Sequence, residues 1–154
     1  MSTIDQRLEE LRIKLSAPAK PVASYLPYVE SAGFLHISGQ ISMNEDGSLI
    51  VGRLGEDYNV ERGQAAARRC GIGLIAQMKA ALGDLDRVEK IVKLGGFVNS
   101  TPDFSDQPKV INGASDLMQD VFGEAGRHAR SAVGVNVLPL GVAVEIDAIV
   151  KVRG

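Results

Sequence analysis

Two charged side chains near the end of the chain are the first candidates for chemistry. Arg130 begins a stretch in which apolar residues alternate with others, and Glu145 lies in a second stretch of the same kind. Arginine carries a planar fork of N–H groups that binds a carboxylate through two bonds at once, which lysine cannot do. A glutamate can hold or move a proton. This pair therefore indicates a site for a small carboxylate.

Both residues also have a structural interpretation. Each could form a salt bridge between subunits, and the pattern alone leaves this alternative open. Ala132 and Gly134 share a face with Arg130 and leave space beside its side chain. That space favours a ligand beside the guanidinium.

The two stretches are predicted to be half-buried strands because their apolar residues recur at every second position. Their valine faces should pack on helices. The segment Leu138–Gly141 between them is typical of a hairpin connection. In a simple hairpin register Gly134 opposes Glu145. Arg130 and Glu145 are then four positions apart, roughly 13 Å along the strands, so they serve opposite ends of one pocket or different pockets.

The remaining pattern predicts an α+β fold with helices on one face of a mixed sheet. Residues 1–20 are predicted to form a helical extension and linker, with Thr3 as the helix N-cap, and residues 21–154 a single domain. Besides the two strands that carry Arg130 and Glu145, the periodicity within that domain predicts four strands and two main helices. The strands are Tyr28–Ser31, Phe34–Ile41, Ser48–Leu54 and Lys90–Asn99, and the helices are Val60–Leu82 and one from Ser105. Small residues in the first main helix should let it lie close to the sheet. The uncovered face of the sheet predicts an oligomer.

Composition narrows the function classes. The chain has 154 residues and a net charge of −2, so no overall charge draws it to nucleic acid or to an anionic membrane. Its first residues lack the basic and apolar regions of a signal peptide, so we expect none. No apolar run is long enough to span a bilayer, and the one cysteine fits a reducing compartment. We therefore expect a cytoplasmic protein without nucleic-acid or membrane partners.

Other reactive residue types have ordinary explanations. His36 and His128 lack the spaced ligands of a metal site, and no phosphate-binding glycine loop is present. Cys70 lies beside the apolar stripe of the predicted long helix, which is typical of a small core residue rather than a nucleophile.

The most specific pattern runs through Arg130–Val135, Leu138-Pro139 and Val144–Ala148. With Ser38–Ile41, Tyr28, Asn112 and the strand that begins at Lys90, it resembles the Rid/YjgF family. These proteins are the reactive intermediate (enamine/imine) deaminases, also described as endoribonuclease L-PSP or translation inhibitor. The resemblance covers about residues 27–151.

The resemblance implies a chorismate-mutase-like fold and a homotrimer with sites in the clefts between subunits. It also implies hydrolysis of 2-imino or enamine acids to 2-keto acids and ammonia, without a metal or a cofactor. Arg130 and Glu145 would be catalytic: Arg130 holds the substrate carboxylate and Glu145 positions water. Further residues would bind the substrate, namely Gly39, Ser38, Tyr28, Asn112 and Ala132.

Better-known members of that family have a cysteine at the position of Ala132 and a glutamate at that of Gly134. These differences indicate a divergent branch with a more open pocket. The leading hypothesis is an imine/enamine deaminase. The alternatives are a non-catalytic trimer that binds small carboxylates and, with less support because no basic groove is evident, a ribonuclease.

Overall fold

The hydrophobic periodicity corresponds to three helices and one five-stranded sheet in the computed structural model, which describes residues 2–18, 20 and 23–154. The helices are α1 (Thr3–Glu10), α2 (Val60–Leu82) and α3 (Gln107–Phe122). The strands are β1 (Tyr28–Ser31), β2 (Phe34–Ile41), β3 (Val88–Asn99), β4 (Ala129–Val135) and β5 (Val144–Val152). The predicted α+β class is confirmed. Among the described residues, no helix is long and apolar enough to cross a bilayer.

The predicted hairpin between the last two strands is wrong. The strand order is β1-β2-β5-β3-β4, so β3 lies between β4 and β5 and pairs with both. β4 runs parallel to β3, with α3 as the crossover, and the other pairs are antiparallel. Alternation along a strand determines which residues share a face, but it does not determine which strand lies alongside. The segment Leu138–Gly141 therefore leads across the sheet rather than around a hairpin.

Both main helices cover the same face of the sheet. α2 packs on β2 and β5, and α3 packs on β3 and β4. Small residues of α2 adjoin the sheet, as predicted: a Cβ on Gly73 would lie 3.4 Å from Gln40 of β2, and Cys70 Sγ lies 3.4 Å from the carbonyl of Val144 in β5. Glycines also bring α2 close to α3, because a Cβ on Gly71 would press on Leu117 of α3, and one on Gly113 of α3 would collide with the backbone of Gln64.

The two predicted valine faces have different surroundings. The face of β5 is buried under the helices, as predicted: Val144, Ile146, Ala148, Val150 and Val152. The valines of the earlier stretch point the other way, since Val133 is 45% exposed and Val137 61% exposed. In β4 it is Arg130 and its neighbours on the same face that lie on the helix side. A valine at the open edge of a sheet follows the same alternation as one in the core, so periodicity alone assigns the wrong side.

The N-terminal helix is attached to the rest of the chain, as its single apolar stripe predicts. The backbone N–H groups of Thr3 and Ile4 each donate to the carboxylate of Asp86, at 2.9 Å. Its N-cap is Ser2, one residue before the predicted Thr3. The predicted linker and the boundary at residue 20 include Ala19 and Pro21, which lie outside the described residues.

The short strand predicted over Ser48–Leu54 does not form. In its place the structure has isolated bridges, which join Leu49 to Met43 and Val51 to Val142. This segment still contributes to the sheet's backbone bonding, because the N–H of Ile50 donates to the carbonyl of Ser42 at 3.0 Å.

Candidate functional site

Glu145 lies half-buried near the start of β5, on the face of the sheet opposite the helices. Its partner in β2 is Ile41, and the β2–β5 register shifts between Ile37 and Gln40. Gly39 lies in this irregularity, which adds one residue to β2. A Cβ on Gly39 would collide with the carboxylate of Glu145. The missing side chain therefore allows the carboxylate to lie directly against the β2 backbone.

The surroundings of Glu145 favour its protonated form. Burial raises the pKa of its carboxyl, and the negative charge of Asp147, two residues along the same face, raises it further. A carboxylate whose pKa is raised holds a proton more strongly than an ordinary exposed glutamate does, so it is a better proton acceptor. This environment is suited to acid–base chemistry.

Ser38 lies beside this carboxylate, but its hydroxyl group has a structural partner. Ser38 Oγ donates to the carbonyl of Leu26 at 2.7 Å, and the Ser38 N–H donates to the carbonyl of Pro27 at 3.0 Å. Both bonds hold the segment before β1 against β2. Ser38 therefore shapes the site through the backbone of that segment.

A groove of about 660 Å³ runs along the part of β2 that β1 does not cover. We call it the β2 groove. Its floor contains Ser38, Gly39 and Glu145, so the structure brings these three predicted site residues together. Its walls include residues 16–18, Lys20, residues 43–47, one side of α2, and Pro139-Leu140. The predicted Tyr28 does not line it; Tyr25 and Pro27 do, while Tyr28 packs half-buried against the core.

Arg130 lies elsewhere, on the helix side of β4, where its guanidinium is held by α3. Its Nη1 donates to Asn112 Oδ1 at 2.8 Å and to Ser115 Oγ at 3.0 Å, and its Nη2 donates to the carbonyl of Pro108 at 3.1 Å. These bonds use three of the five N–H groups of an arginine. Within the described residues, the Nε–H and one Nη2–H have no acceptor, and Arg130 forms no salt bridge. These two N–H groups remain available to a carboxylate.

The hydrogen bonds behind Arg130 continue to a histidine that sequence reasoning regarded as isolated. His128 Nδ1 lies 2.6 Å from the carbonyl of Gly126, so this nitrogen carries a proton and donates. Burial lowers the pKa of His128, and the charge of Arg130 lowers it further, so the ring is neutral. Its Nε2 then accepts from Ser115 Oγ at 2.8 Å. His128 lies just before β4, two residues from Arg130, and this spacing is the sequence signal for the contact.

Two predicted residues accompany Arg130. Asn112 binds it directly, and Ala132 follows it on the same face, half-buried against the core. Gly134 continues that face, and a Cβ there would press on Gln107 and Ser100. The space that the missing side chain leaves at this position is therefore filled by polar groups of the chain itself.

The predicted site is divided between two places in one chain. Arg130 is in register with Leu94 and through it with Ala148, whereas Glu145 is in register with Phe97 and through it with Val133. Their side chains project from opposite faces, and their strands are two spacings apart, roughly 10 Å. One copy of the chain therefore does not bring Arg130 and Glu145 together.

Cys70 belongs to the core, as predicted. It is fully buried in α2, and its Sγ lies 3.4 Å from the carbonyl of Val144. Burial raises the pKa of the thiol strongly, so it stays protonated and unreactive. In the described part of the chain, no group of three or more His, Cys, Asp or Glu residues could hold a metal ion.

Comparisons with known proteins agree with this architecture. The chain is 55% identical to Protein TCP17 of Trypanosoma cruzi, over 95% of this chain and 92% of that protein. It is 26% identical to a 2-iminobutanoate/2-iminopropanoate deaminase of Dermatophagoides farinae, over 87% of this chain and 90% of that protein. A crystal structure of the protein Atu1372 of Agrobacterium tumefaciens, whose function is unknown, superposes with a TM-score of 0.91 at 45% identity. That match covers 97% of this chain and 92% of the other.

The family described as "YjgF/chorismate_mutase-like, putative endoribonuclease" matches residues 5–149, which is nearly the whole chain. The predicted resemblance is thereby confirmed, and the chain belongs to the Rid/YjgF family.

Proposed function

We propose that this protein hydrolyses 2-imino acids, and the enamines in equilibrium with them, to 2-keto acids and ammonia. The observation that carries the proposal is the half-buried carboxyl of Glu145, held against Gly39 on the floor of the β2 groove with a raised pKa. Family membership and the mite deaminase at 26% identity add support. The cytoplasm is the proposed location.

The proposed reaction needs few protein groups, because an imine carbon is already electrophilic. Water adds to the C=N carbon while the Glu145 carboxylate accepts one of the water's protons. Glu145 passes this proton to the imine nitrogen, which gives a neutral tetrahedral carbinolamine. The hydroxyl proton of the carbinolamine then moves to the nitrogen through the same carboxylate, the C–N bond breaks, ammonia leaves and the C=O bond forms. Positioning of water and one proton-transferring carboxylate supply the acceleration.

Arg130 supplies the second element of the proposal. The two N–H groups of its guanidinium that remain available bind the substrate carboxylate through two bonds. The bonds to Asn112, Ser115 and the Pro108 carbonyl hold the fork in place before substrate arrives. A pre-positioned fork loses less conformational entropy on binding.

Because Arg130 and Glu145 lie on opposite faces of one sheet, the proposed site needs a second copy of the chain. We propose a homotrimer in which the open face of one subunit meets the β4 edge of the next, so each cleft combines Glu145 from one copy with Arg130 from another. Light scattering should give three times the 16.4 kDa chain mass. A monomer at micromolar concentration would contradict the shared site.

Mixed trimers test the sharing directly. Arg130→Ala and Glu145→Gln subunits are each expected to form inactive trimers, but co-expressed together they should recover activity. In a random mixture about one cleft in four combines an intact Arg130 with an intact Glu145, so about a quarter of wild-type activity is expected. Separately purified trimers, mixed without exchange, are the control. Co-expressed trimers as inactive as the parents would show that one chain supplies both residues.

Gly39→Ala is expected to lower deaminase activity on the order of a hundredfold, because the new Cβ must displace the Glu145 carboxylate. Gly154→Ala is the control: a Cβ on Gly154 would have no atom within 4 Å, and Gly154 lies outside the lining of the β2 groove. Initial rates and melting temperatures of both variants measure the effect. Equal deaminase activity in the two variants would show that Glu145 functions without the space that Gly39 leaves for it.

Ser115→Ala is expected to raise the KM for imino acids about fivefold, with a smaller change in kcat. The variant removes one bond to Arg130 and the donor to His128 Nε2, and a hydrogen bond contributes about 1 kcal/mol. Ser115→Thr keeps the hydroxyl and should retain the KM. If both variants have the same KM, the hydroxyl group does not position Arg130.

A carboxylate-binding protein without catalysis is the second candidate, and the open fork of Arg130 is the observation that favours it. Such a protein has no use for a half-buried carboxyl with a raised pKa beside its ligand. The two candidates therefore predict different results for Glu145→Gln: activity is lost in the first, whereas the second has no activity to lose.

A further inference from the structure

The β2 groove is larger than hydrolysis of the smallest imino acids requires. Its volume of about 660 Å³ lies in the range of about 300–1,000 Å³ that holds drug-sized ligands. A 2-imino acid with one or two side-chain carbons would leave most of this space empty. The floor, with Glu145 and Gly39, occupies only part of the groove.

The rest of the groove presents apolar groups. Ile72, Gly73 and Ala76 of α2 form one wall, and Pro139 and Leu140 form another part of the lining. The glycine and the alanine leave room that larger side chains would fill. An apolar lining beside a few polar groups is typical of a small-molecule site.

Two of the groove's apolar side chains are unusually open to solvent. Leu140 is 73% exposed and Tyr25 54% exposed, and both line the groove. Leu140 also has a left-handed backbone, with φ of 60°, which is uncommon for a residue other than glycine, asparagine or aspartate. Strained backbone and exposed apolar side chains occur together at ligand-binding sites.

Three of the charged side chains that line the groove have partners within the chain. Arg69 Nε donates to the carbonyl of Met43 at 2.8 Å, Glu45 lies 3.9 Å from Lys14, and Asp46 accepts from Ser48. The lining includes Lys20 and Arg69 as cations and Glu45 and Asp46 as further anions beside Glu145. Charges of both signs give a charged substrate side chain no consistent partner, whereas an apolar one gains from burial.

From these observations we infer that the β2 groove binds the side chain of the substrate, and that the substrates are 2-imino acids with bulky apolar side chains, branched or aromatic. This inference rests on the proposed function. The imine carbon lies beside Glu145, the carboxylate binds Arg130 of the neighbouring copy, and the side chain extends along α2 towards Leu140.

The test compares imines that an amino-acid oxidase generates in situ from alanine, leucine and phenylalanine, with the remaining imine trapped by semicarbazide. The kcat/KM for the leucine- and phenylalanine-derived imines should exceed that for the alanine-derived imine by about tenfold or more, since even one methylene in an apolar pocket contributes about tenfold. Equal or better turnover of the alanine-derived imine would overturn the inference and leave deamination intact.

The variant Leu140→Ala tests whether the β2 groove causes the preference for bulky apolar side chains. It should reduce kcat/KM for the leucine-derived imine several-fold and leave the alanine-derived imine unchanged. Val137→Ala, at an equally exposed position outside the groove lining, should change neither. If Leu140→Ala instead weakens assembly and lowers all rates together, a second copy occupies the groove and the inference is wrong.

Binding of keto acids tests the groove without turnover. Calorimetry on the wild-type protein should show tighter binding of 4-methyl-2-oxopentanoate than of pyruvate, and Leu140→Ala should reduce that difference. If no imine is hydrolysed but this difference is found, the proposed function fails while the side-chain preference stands. Equal binding of the two keto acids would contradict the preference, whatever the outcome for catalysis.

Discussion

Replacing Arg130 by lysine is expected to lower kcat/KM for 2-imino acids by about tenfold to a hundredfold. Lysine keeps the positive charge but has no fork, so a two-bond contact with the substrate carboxylate becomes a single one. Loss of a hydrogen bond to a charged group costs about 1.5–3 kcal/mol, which corresponds to this range. Arg130→Ala, which also removes the charge, should be worse.

The controls for Arg130 separate binding from assembly. Arg127→Lys changes another arginine nearby, whose contact with Glu124 at 3.8 Å is a surface salt bridge, and should leave activity unchanged. In the Arg130 variants the trimer and its melting temperature should change little. If Arg130 instead forms a salt bridge between subunits, the variants should form fewer trimers, and activity should decrease only because the trimer is lost. Intact trimers with undiminished activity would remove Arg130 from the mechanism.

Glu145→Gln is expected to lower kcat by about a hundredfold to ten-thousandfold, the range for loss of a general acid–base group. Glutamine has nearly the same shape and fits the space beside Gly39, but it cannot accept a proton from water. Binding of a 2-keto acid, which depends on Arg130, should change only a few-fold. A Glu145→Gln variant that keeps full activity would show that another group handles the proton.

The pH dependence follows from the raised pKa of Glu145. Burial is its main cause and the charge of Asp147 the second. Catalysis needs the carboxylate, so kcat/KM should fall as pH decreases through this raised pKa, at a higher pH than for an exposed glutamate. Asp147→Asn removes the neighbouring charge and should move that fall to lower pH. An unchanged pH profile in Asp147→Asn would mean that Asp147 does not influence the group that titrates.

Much of the fold follows from the sequence because its periodic segments are long. The span predicted for the main helix, Val60–Leu82, is the observed one, and the strands Tyr28–Ser31 and Phe34–Ile41 also have their predicted bounds. Strand pairing was not predictable in the same way. Local alternation indicates that Arg130 and Ala132 share a face, but the neighbour of β4 depends on where α3 returns the chain to the sheet.

The sequence indicated individual candidate residues, but it did not predict that they lie in two separate places. Ser38, Gly39 and Glu145 meet, and Arg130 meets Asn112, yet the two groups lie on opposite faces. A hairpin between β4 and β5 would make the two groups neighbours in one chain. In the structure β3 lies between these strands and separates the two groups.

Ser115 and His128 were missed as parts of the site for a similar reason. His128 lies two residues from Arg130, just before β4, but its contact with α3 depends on tertiary packing, so the sequence shows only an isolated histidine.

One measurement tests the central claim most directly. A dehydratase or an amino-acid oxidase generates 2-iminobutanoate in situ, and the loss of imine is followed with no added protein, with wild-type protein and with Glu145→Gln. We predict that the wild-type protein accelerates imine loss in proportion to its concentration and that the variant does not. Equal rates of imine loss in all three reactions, at micromolar protein, would contradict the proposal that this chain is an imine deaminase.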